Sequence, residues 1–358
     1  MSLTIVVGGQ YGGEGKGKIV SHLSVTDDID YVVRCGGPNS GHTVDLNGKR
    51  YVLRCLPAGF TNAKTRLLLA AGALINPDIL LRELESCRVN RARLGVDFNA
   101  GVIVAEDEKN EKALDLREKI GSTLSGVGAA VARRVLRDGR FHLAKDEPKL
   151  QPFLTCVSDE INSALDRKLK TIVEGTQGFG LSLFHSRFYP FTTSRDTTAS
   201  AFLSEVGVSP LRATNVVMVI RTFPIRVGGN SGPLKNEITW EKLQELSGYP
   251  YAIREFTTVT NRLRRVAVFD TDIVQKAALV NKPTEIALNG TDYLDYRNKG
   301  ARRIQDLTLK ARKFIGHIER ETRTKVRFVG TGPTNEEIID TNCTHEESFG
   351  RQQIACQC

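Results

Sequence analysis

Between Gly8 and Lys18 the chain places six glycines and two lysines. Backbone N–H groups that no side chain shields can face an anion, and a helix starting behind them adds positive potential. Gly12, Gly17 and Lys18 meet the first part of a phosphate-loop spacing, but Ile19 stands where such a loop needs a hydroxyl for magnesium. The chemistry suggested is the cradling of a nucleotide phosphate, with Lys16 or Lys18 supplying charge. A tight strand-to-helix turn, the plainer alternative, needs far fewer glycines. A second constellation is Arg262, Arg264 and Arg265 in the run from Thr258. In an extended loop Arg262 and Arg264 project to one side, so both guanidinium forks can converge on a dicarboxylate. The alternative there is a solvated basic run. The tail carries Cys343, His345, Cys356 and Cys358, possible zinc ligands whose spacing matches no closed structural site.

Such groups need elements to hold them, and the apolar pattern supplies these. Thr4–Gly8 is a short β-branched run that enters the glycine loop, and a helix-like stretch follows through Leu23. Tyr31–Arg34 leads into a second polar loop through Thr43, and Tyr51–Leu56 and Arg66–Ala70 read as further strands. Thr171–Glu174, Asn215–Arg221, Thr284–Asn289 and Val326–Val329 repeat one theme, an apolar strand opening into a polar loop. Residues 77–95 and 107–120 have a helical period. This alternation predicts an α/β, P-loop-like nucleotide-binding fold: a mainly parallel central sheet, helices on both faces and smaller excursions inserted. With no internal repeat or boundary visible, 1–340 reads as a single domain and 341–358 as an unassigned tail.

The 358 residues, 40% hydrophobic and 25% charged, are enough for a large core. No apolar run approaches the roughly 18–20 residues that span a bilayer. The start, Met1–Val7, has no charged leader and reads as a first strand, so a cytoplasmic protein with reduced cysteines is expected. The net charge of +9 points to acidic partners. It is spread without a dense basic block, which favours phosphorylated and carboxylated small molecules over nucleic acid or membrane. A non-catalytic nucleic-acid binder, the reading from another class, would instead show salt-sensitive DNA binding.

The run from Gly9 to Val20 resembles the opening signature of the adenylosuccinate synthetases. Tyr31–Arg34 with Asn39–Thr43, Ile120–Thr123, Val131–Arg134, Glu174–Gly178, Tyr189–Ser194, Arg226–Gly228 and Gly330–Pro333 are similar to further motifs of that family, in family order. On these the chain is identified as a member, shorter than typical ones. The resemblance implies a ligase working in two steps: a nucleoside triphosphate phosphorylates the 6-oxo group of a purine monophosphate, and the amino group of aspartate displaces that phosphate. It also implies Mg²⁺, and several basic groups and backbone donors to hold three anionic ligands.

Carried over by the resemblance, His42 sits by the transferring phosphoryl as an acid or charged donor, with Gln177 beside it. The nucleoside triphosphate falls to Gly12, Gly15, Lys16, Gly17, Lys18, Gly41, Thr43, Asn289, Asp292, Gly330, Gly332 and Pro333. The purine monophosphate falls to Gly13, Asn39, Ser122, Thr123, Gln177, Thr193, Val227 and Arg262, with Arg133 arriving from a second subunit of a homodimer. Aspartate falls to Thr258, Thr260, Arg262 and Arg264, and the metal to position 13 and the Gly41 carbonyl.

Two departures stand out. Gly13 occupies the position of the family's aspartate, the base at purine N1 and a magnesium ligand; the nearest carboxylate is Glu14. Gly290 replaces the lysine that packs on the triphosphate's base, while Asp292 remains, although in an Asn-Gly loop Asp292 can also be a turn residue. A missing side chain at position 13 is expected to leave room for a 2-amino group. Together the changes resemble a phage-type branch that joins aspartate to dGMP with ATP or dATP, giving 2-amino-N6-succinyl-2′-deoxyadenylate for diaminopurine DNA, in the host cytoplasm if phage-encoded. The alternative is the ordinary reaction with IMP and GTP, in which Glu14 or a water takes the base role.

Overall fold

The computed structural model describes residues 3–342. Its spine is a ten-stranded sheet in the order Ile338–Asp340, Lys325–Gly330, Glu285–Asn289, Asn215–Arg221, Leu3–Gly8, Thr171–Glu174, Tyr31–Arg34, Arg66–Leu69, Leu94–Asp97, Leu154–Thr155. Every neighbouring pair is parallel except the first, where Ile338–Asp340 runs antiparallel to Lys325–Gly330. Strands in such a sheet are covered on both faces and need apolar residues in succession, which explains runs such as Leu3–Gly8 and Asn215–Arg221. Leu3, Ile5, Val7, Val173, Met218 and Ile220 face one core, with helices Val157–Asp166, Ala199–Val206 and Thr271–Asn281. Val6, Ile172, Val217, Val219 and Phe328 face the other, with helices Lys16–Thr26 and Pro77–Ser86. The expected α/β architecture is present, helices on both faces included. Among the described residues no helix is long and apolar enough to cross a membrane.

The excursions are a hairpin of His42–Leu46 with Lys49–Leu53, a three-stranded antiparallel sheet around Arg265–Ala267, and the helical segment from Ala105 to Leu136. Several boundaries differ from the sequence expectation. The helix expected over 77–95 ends at Ser86, because Arg88 turns left-handed at φ 52°, and Leu94–Asp97 is a fully buried strand. The 107–120 helix is broken at Asp115, again left-handed at φ 52°, into Ala105–Ala113 and Leu116–Ile120. His42, expected in a loop, opens a strand, which fixes its backbone in the hairpin ladder.

The central strand Leu3–Gly8 ends at the glycine loop, flanked in parallel by the strands Thr171–Glu174 and Asn215–Arg221. Loops at the carboxyl ends of parallel strands are where ligands gather in such sheets. The 175–178, 222–228 and 290–294 segments therefore converge on the glycine loop from neighbouring strands.

Candidate active site

The glycine loop leaves helix Lys16–Thr26 without a side-chain cap. Gly15 serves as N-cap in the left-handed region at φ 94°, and Gly12 is left-handed at φ 96°. The first-turn N–H groups therefore stay available to an anion. Glu14 is buried and acts as the loop's internal brace: one carboxylate oxygen accepts from the Gln10 N–H (3.0 Å) and the Gly12 N–H (2.8 Å), the other from Lys16 Nζ (2.8 Å). Both oxygens are engaged, which fits a scaffold and not a general base. Lys16 stays in the loop, whereas Lys18, expected to lend its charge to a phosphate, points elsewhere. Its Nζ donates to the Gly332 carbonyl at 2.6 Å and the Glu337 carbonyl at 3.0 Å, and burial pulls its pKa down to about 8. Lys18 thereby ties the 330–337 segment to the first helix.

His42 packs on the first turn of that helix, where a Cβ on Gly17 would stand 2.7 Å from its own Cβ. Behind it lie two buried charges that the sequence reading did not single out. The Glu174 carboxylate accepts from His42 Nδ1 at 2.5 Å, from Arg34 Nη1 at 2.9 Å and from the Ala58 N–H at 2.8 Å. Arg34 Nη2 donates to the Ser40 carbonyl at 3.0 Å. His42, Arg34 and Glu174 are each at most 3% exposed. Burial pushes the Glu174 pKa up, but Arg34 and His42 outweigh it and hold the carboxyl below its usual value. Burial, then the Arg34 guanidinium, lowers the His42 pKa to about 4. With Nδ1–H given to Glu174, Nε2 is the bare nitrogen of a neutral ring, buried and without a hydrogen-bond partner among the described residues. The charged donor expected from the sequence is thus, in the free protein, a neutral ring beside the first turn of the loop's helix. The signal was available: Arg34 and Glu174 are the charged ends of two short β-rich strands and sit opposite each other in register.

The other ligand loops close around this centre. Gln177, left-handed at φ 62°, lays its side chain against Gly12, a strained conformation typical of functional loops. A side chain on Gly41 would run into Thr258 Oγ1, so the histidine loop and the arginine loop touch. Thr260 is held by Thr257 (2.7 Å). Arg264 reaches the glycine loop, and its Nη1 lies 3.1 Å from where a Cβ of Gly13 would be; Arg262 turns to the Val227 side, next to Gly229. The two forks therefore diverge more than alternation alone predicts. The indole of Trp240 donates to the Arg264 carbonyl at 2.7 Å. Asn39, Thr43 and Thr193 are half-buried, Ser122 caps Leu124, and Thr123 pairs with Ser125 at 2.9 Å. Asn289 donates to the Glu14 carbonyl at 2.7 Å, while Asp292 is taken by the Tyr249 hydroxyl and raised by burial. Gly330 accepts from Thr291 at 2.9 Å, and Gly332 packs on Glu337 with Pro333 exposed. Arg133 has a partner in its own chain, both oxygens of Asp107 at 2.8 Å. Cys343, His345, Cys356 and Cys358 lie outside the described residues.

Position 13 does not leave a hole. A Cβ there would stand 2.6 Å from Ile225 Cγ1 and 2.7 Å from its Cδ1, so the Ile225 side chain fills the space. The Gly13 carbonyl accepts from Arg221 Nη1 at 3.1 Å, and Arg221 is paired in turn with Glu255. A carbonyl bound to a guanidinium does not fit a magnesium ligand, which corrects the metal role expected at Gly13. Gly290 also has a local reason, as the N-cap of a short helix at φ 81°, a backbone that only glycine adopts freely. Gly13→Asp is therefore expected to destabilise the chain by about 1–3 kcal/mol through overpacking. In a double-mutant cycle Ile225→Ala should relieve at least about 1 kcal/mol of that. Denaturant titration of the four proteins measures the coupling, and strictly additive effects would refute the packing argument.

A model of the adenylosuccinate synthetase family matches residues 5–143 and 141–299. The adenylosuccinate synthetase of Archaeoglobus fulgidus is 41% identical over 343 residues, covering 95% of this chain and 98% of that protein. The fully ligated adenylosuccinate synthetase from Plasmodium falciparum has a TM-score of 0.83 at 21% identity, over 96% of this chain and 100% of its own, which bears on fold alone. A cyanophage S-2L succinoaminodeoxyadenylate synthetase bound to dGMP and dATP has a TM-score of 0.80 at 29% identity, over 99% of each chain. Relatives near 41% identity along almost the whole chain are thus adenylosuccinate synthetases. The expectation of a dGMP-directed, ATP-driven ligase is overturned by them, and its physical premise fails with the filled space at Ile225.

Proposed function

The chain belongs to the adenylosuccinate synthetase family, ligases that form a carbon–nitrogen bond in purine nucleotide biosynthesis, and from that premise we propose that it joins L-aspartate to IMP at the expense of GTP. The observation that carries this reading is the buried, partnerless Nε2 of His42, braced by Glu174 and Arg34 and set against the first turn behind the glycine loop. An arriving phosphoryl anion at Nε2 opposes the desolvation that keeps the ring neutral, so the imidazole takes a proton and becomes a charged donor where negative charge develops. Glu174 then stabilises the imidazolium and holds it in one tautomer.

In this reading the loop N–H groups and Lys16 hold the triphosphate; Asn39, Ser122, Thr123, Gln177, Thr193 and Val227 hold the monophosphate; Thr258, Thr260 and Arg264 hold aspartate, with Arg262 between the last two ligands. Mg²⁺ would arrive with the triphosphate, near the Gly41 carbonyl, and supply charge neutralisation there. A homodimer belongs to the same proposal: Arg133 would exchange Asp107 for a phosphate in the neighbouring site. Purified chain incubated with aspartate and Mg²⁺ is expected to form adenylosuccinate from IMP and GTP. Turnover confined to dGMP would sink the proposal.

A further inference from the structure

Arg226 is one of the largest fully buried side chains of the protein, 1% exposed, and none of the roles above uses it. No carboxylate pairs with it among the described residues. Its guanidinium is satisfied by two backbone carbonyls, Nη1 donating to Pro233 and Nη2 to Phe191, both at 2.8 Å. The plane is flanked by the Tyr11 ring at 4.9 Å and the Phe188 ring at 5.8 Å. Among the described residues Nε has no hydrogen-bond partner, and burial lowers the pKa to about 10. Burying a charge without a counter-charge is unfavourable, and this cost opposes what its two hydrogen bonds contribute. Packing alone therefore gives little reason for an arginine here.

What the arginine joins does give one. Tyr11 lies inside the glycine loop, Phe191 lies two residues before Thr193, and Pro233 closes the loop that starts at Val227. That last loop is tied down further: Ser231 Oγ donates to the Val227 carbonyl, and Asn230 donates to the carbonyls of Glu118 (2.9 Å) and Lys119 (3.1 Å), just before Ser122 and Thr123. Gly232, at φ 94°, permits the close approach. A Cβ there would stand 2.5 Å from Phe191 Cβ and 2.9 Å from Arg226 Nη2. One planar, two-pronged cation thus joins the segment before Thr193 to the end of the Val227 loop, beside the Tyr11 ring of the glycine loop.

We propose that Arg226 is the positioning residue for the purine monophosphate, holding the Thr193 and Val227 loops at a fixed spacing against the glycine loop. The inference rests on the assignment of those loops to the monophosphate. A lysine keeps the charge but lacks the fork and cannot hold both carbonyls in one plane. Arg226→Met and Arg226→Lys are each expected to raise the KM for IMP by about tenfold or more, while kcat and the KM values for aspartate and GTP change less than about threefold. Calorimetric titration of IMP into the wild type and both variants gives the matching loss in Kd. That readout stands even if the wild type turns over no IMP, so failure of the proposed reaction and failure of this role are separable. An unchanged Kd for IMP in the folded lysine variant, a parallel rise of all three KM values, or no IMP binding by the wild type would each overturn the role.

Discussion

His42→Asn is expected to lower kcat by about 10²–10⁴, with the chain still folded and its nucleotide affinities close to wild type. The asparagine amide can keep a hydrogen bond to Glu174, which in the wild type receives Nδ1 at 2.5 Å, so the buried carboxylate is not stranded. What is lost is Nε2, the buried atom of that cluster without a partner among the described residues. Since the free ring is neutral down to about pH 4, its contribution arises only once an anion faces it, and the loss should fall on kcat more than on KM. Steady-state kinetics with IMP, GTP and aspartate measures it. A variant with undiminished kcat would show that the histidine has no part in phosphoryl transfer.

Glu174→Gln tests the other half of the cluster and should act differently. It removes the one carboxylate that, among the described residues, is hydrogen-bonded to the buried Arg34, and leaves that charge with backbone carbonyls and the His42 ring. Breaking one side of a buried pair typically costs about 3–5 kcal/mol. The glutamine can also offer His42 a donor as readily as an acceptor, so the ring no longer has a single preferred tautomer. Urea unfolding should therefore show a large loss of stability together with a loss of kcat, against the loss of kcat alone in His42→Asn. Equal stability of wild type and Glu174→Gln would mean that Arg34 finds another counter-charge.

These groups show where the sequence was legible and where it was not. Tyr31–Arg34, Thr171–Glu174 and Asn215–Arg221 match their expected bounds to the residue, because each is a continuous β-rich run closed by a glycine or a polar turn. Leu94–Asp97, Leu154–Thr155 and Ile338–Asp340 were missed. They are too short to carry a period, and pairing with strands already formed makes them. At the site, the glycine loop and the two arginine forks were visible from residue type and spacing, and His42 only through the family resemblance. Arg226 was not recognised, because its role comes from the distant carbonyls it joins. Gly13 misled in the opposite way: a sequence shows which side chain is missing, but not that Ile225, more than two hundred positions later, has moved into its place.

The indole bonded to the Arg264 carbonyl belongs to the single tryptophan of the chain. Trp240 is 5% exposed and packed in the core beneath the arginine loop. An indole is sensitive to the polarity and hydrogen bonding around it, so the protein carries its own optical gauge at the point where a dicarboxylate would be gripped. Emission followed during rapid mixing would report that loop alone, uncontaminated by any second fluorophore of its kind.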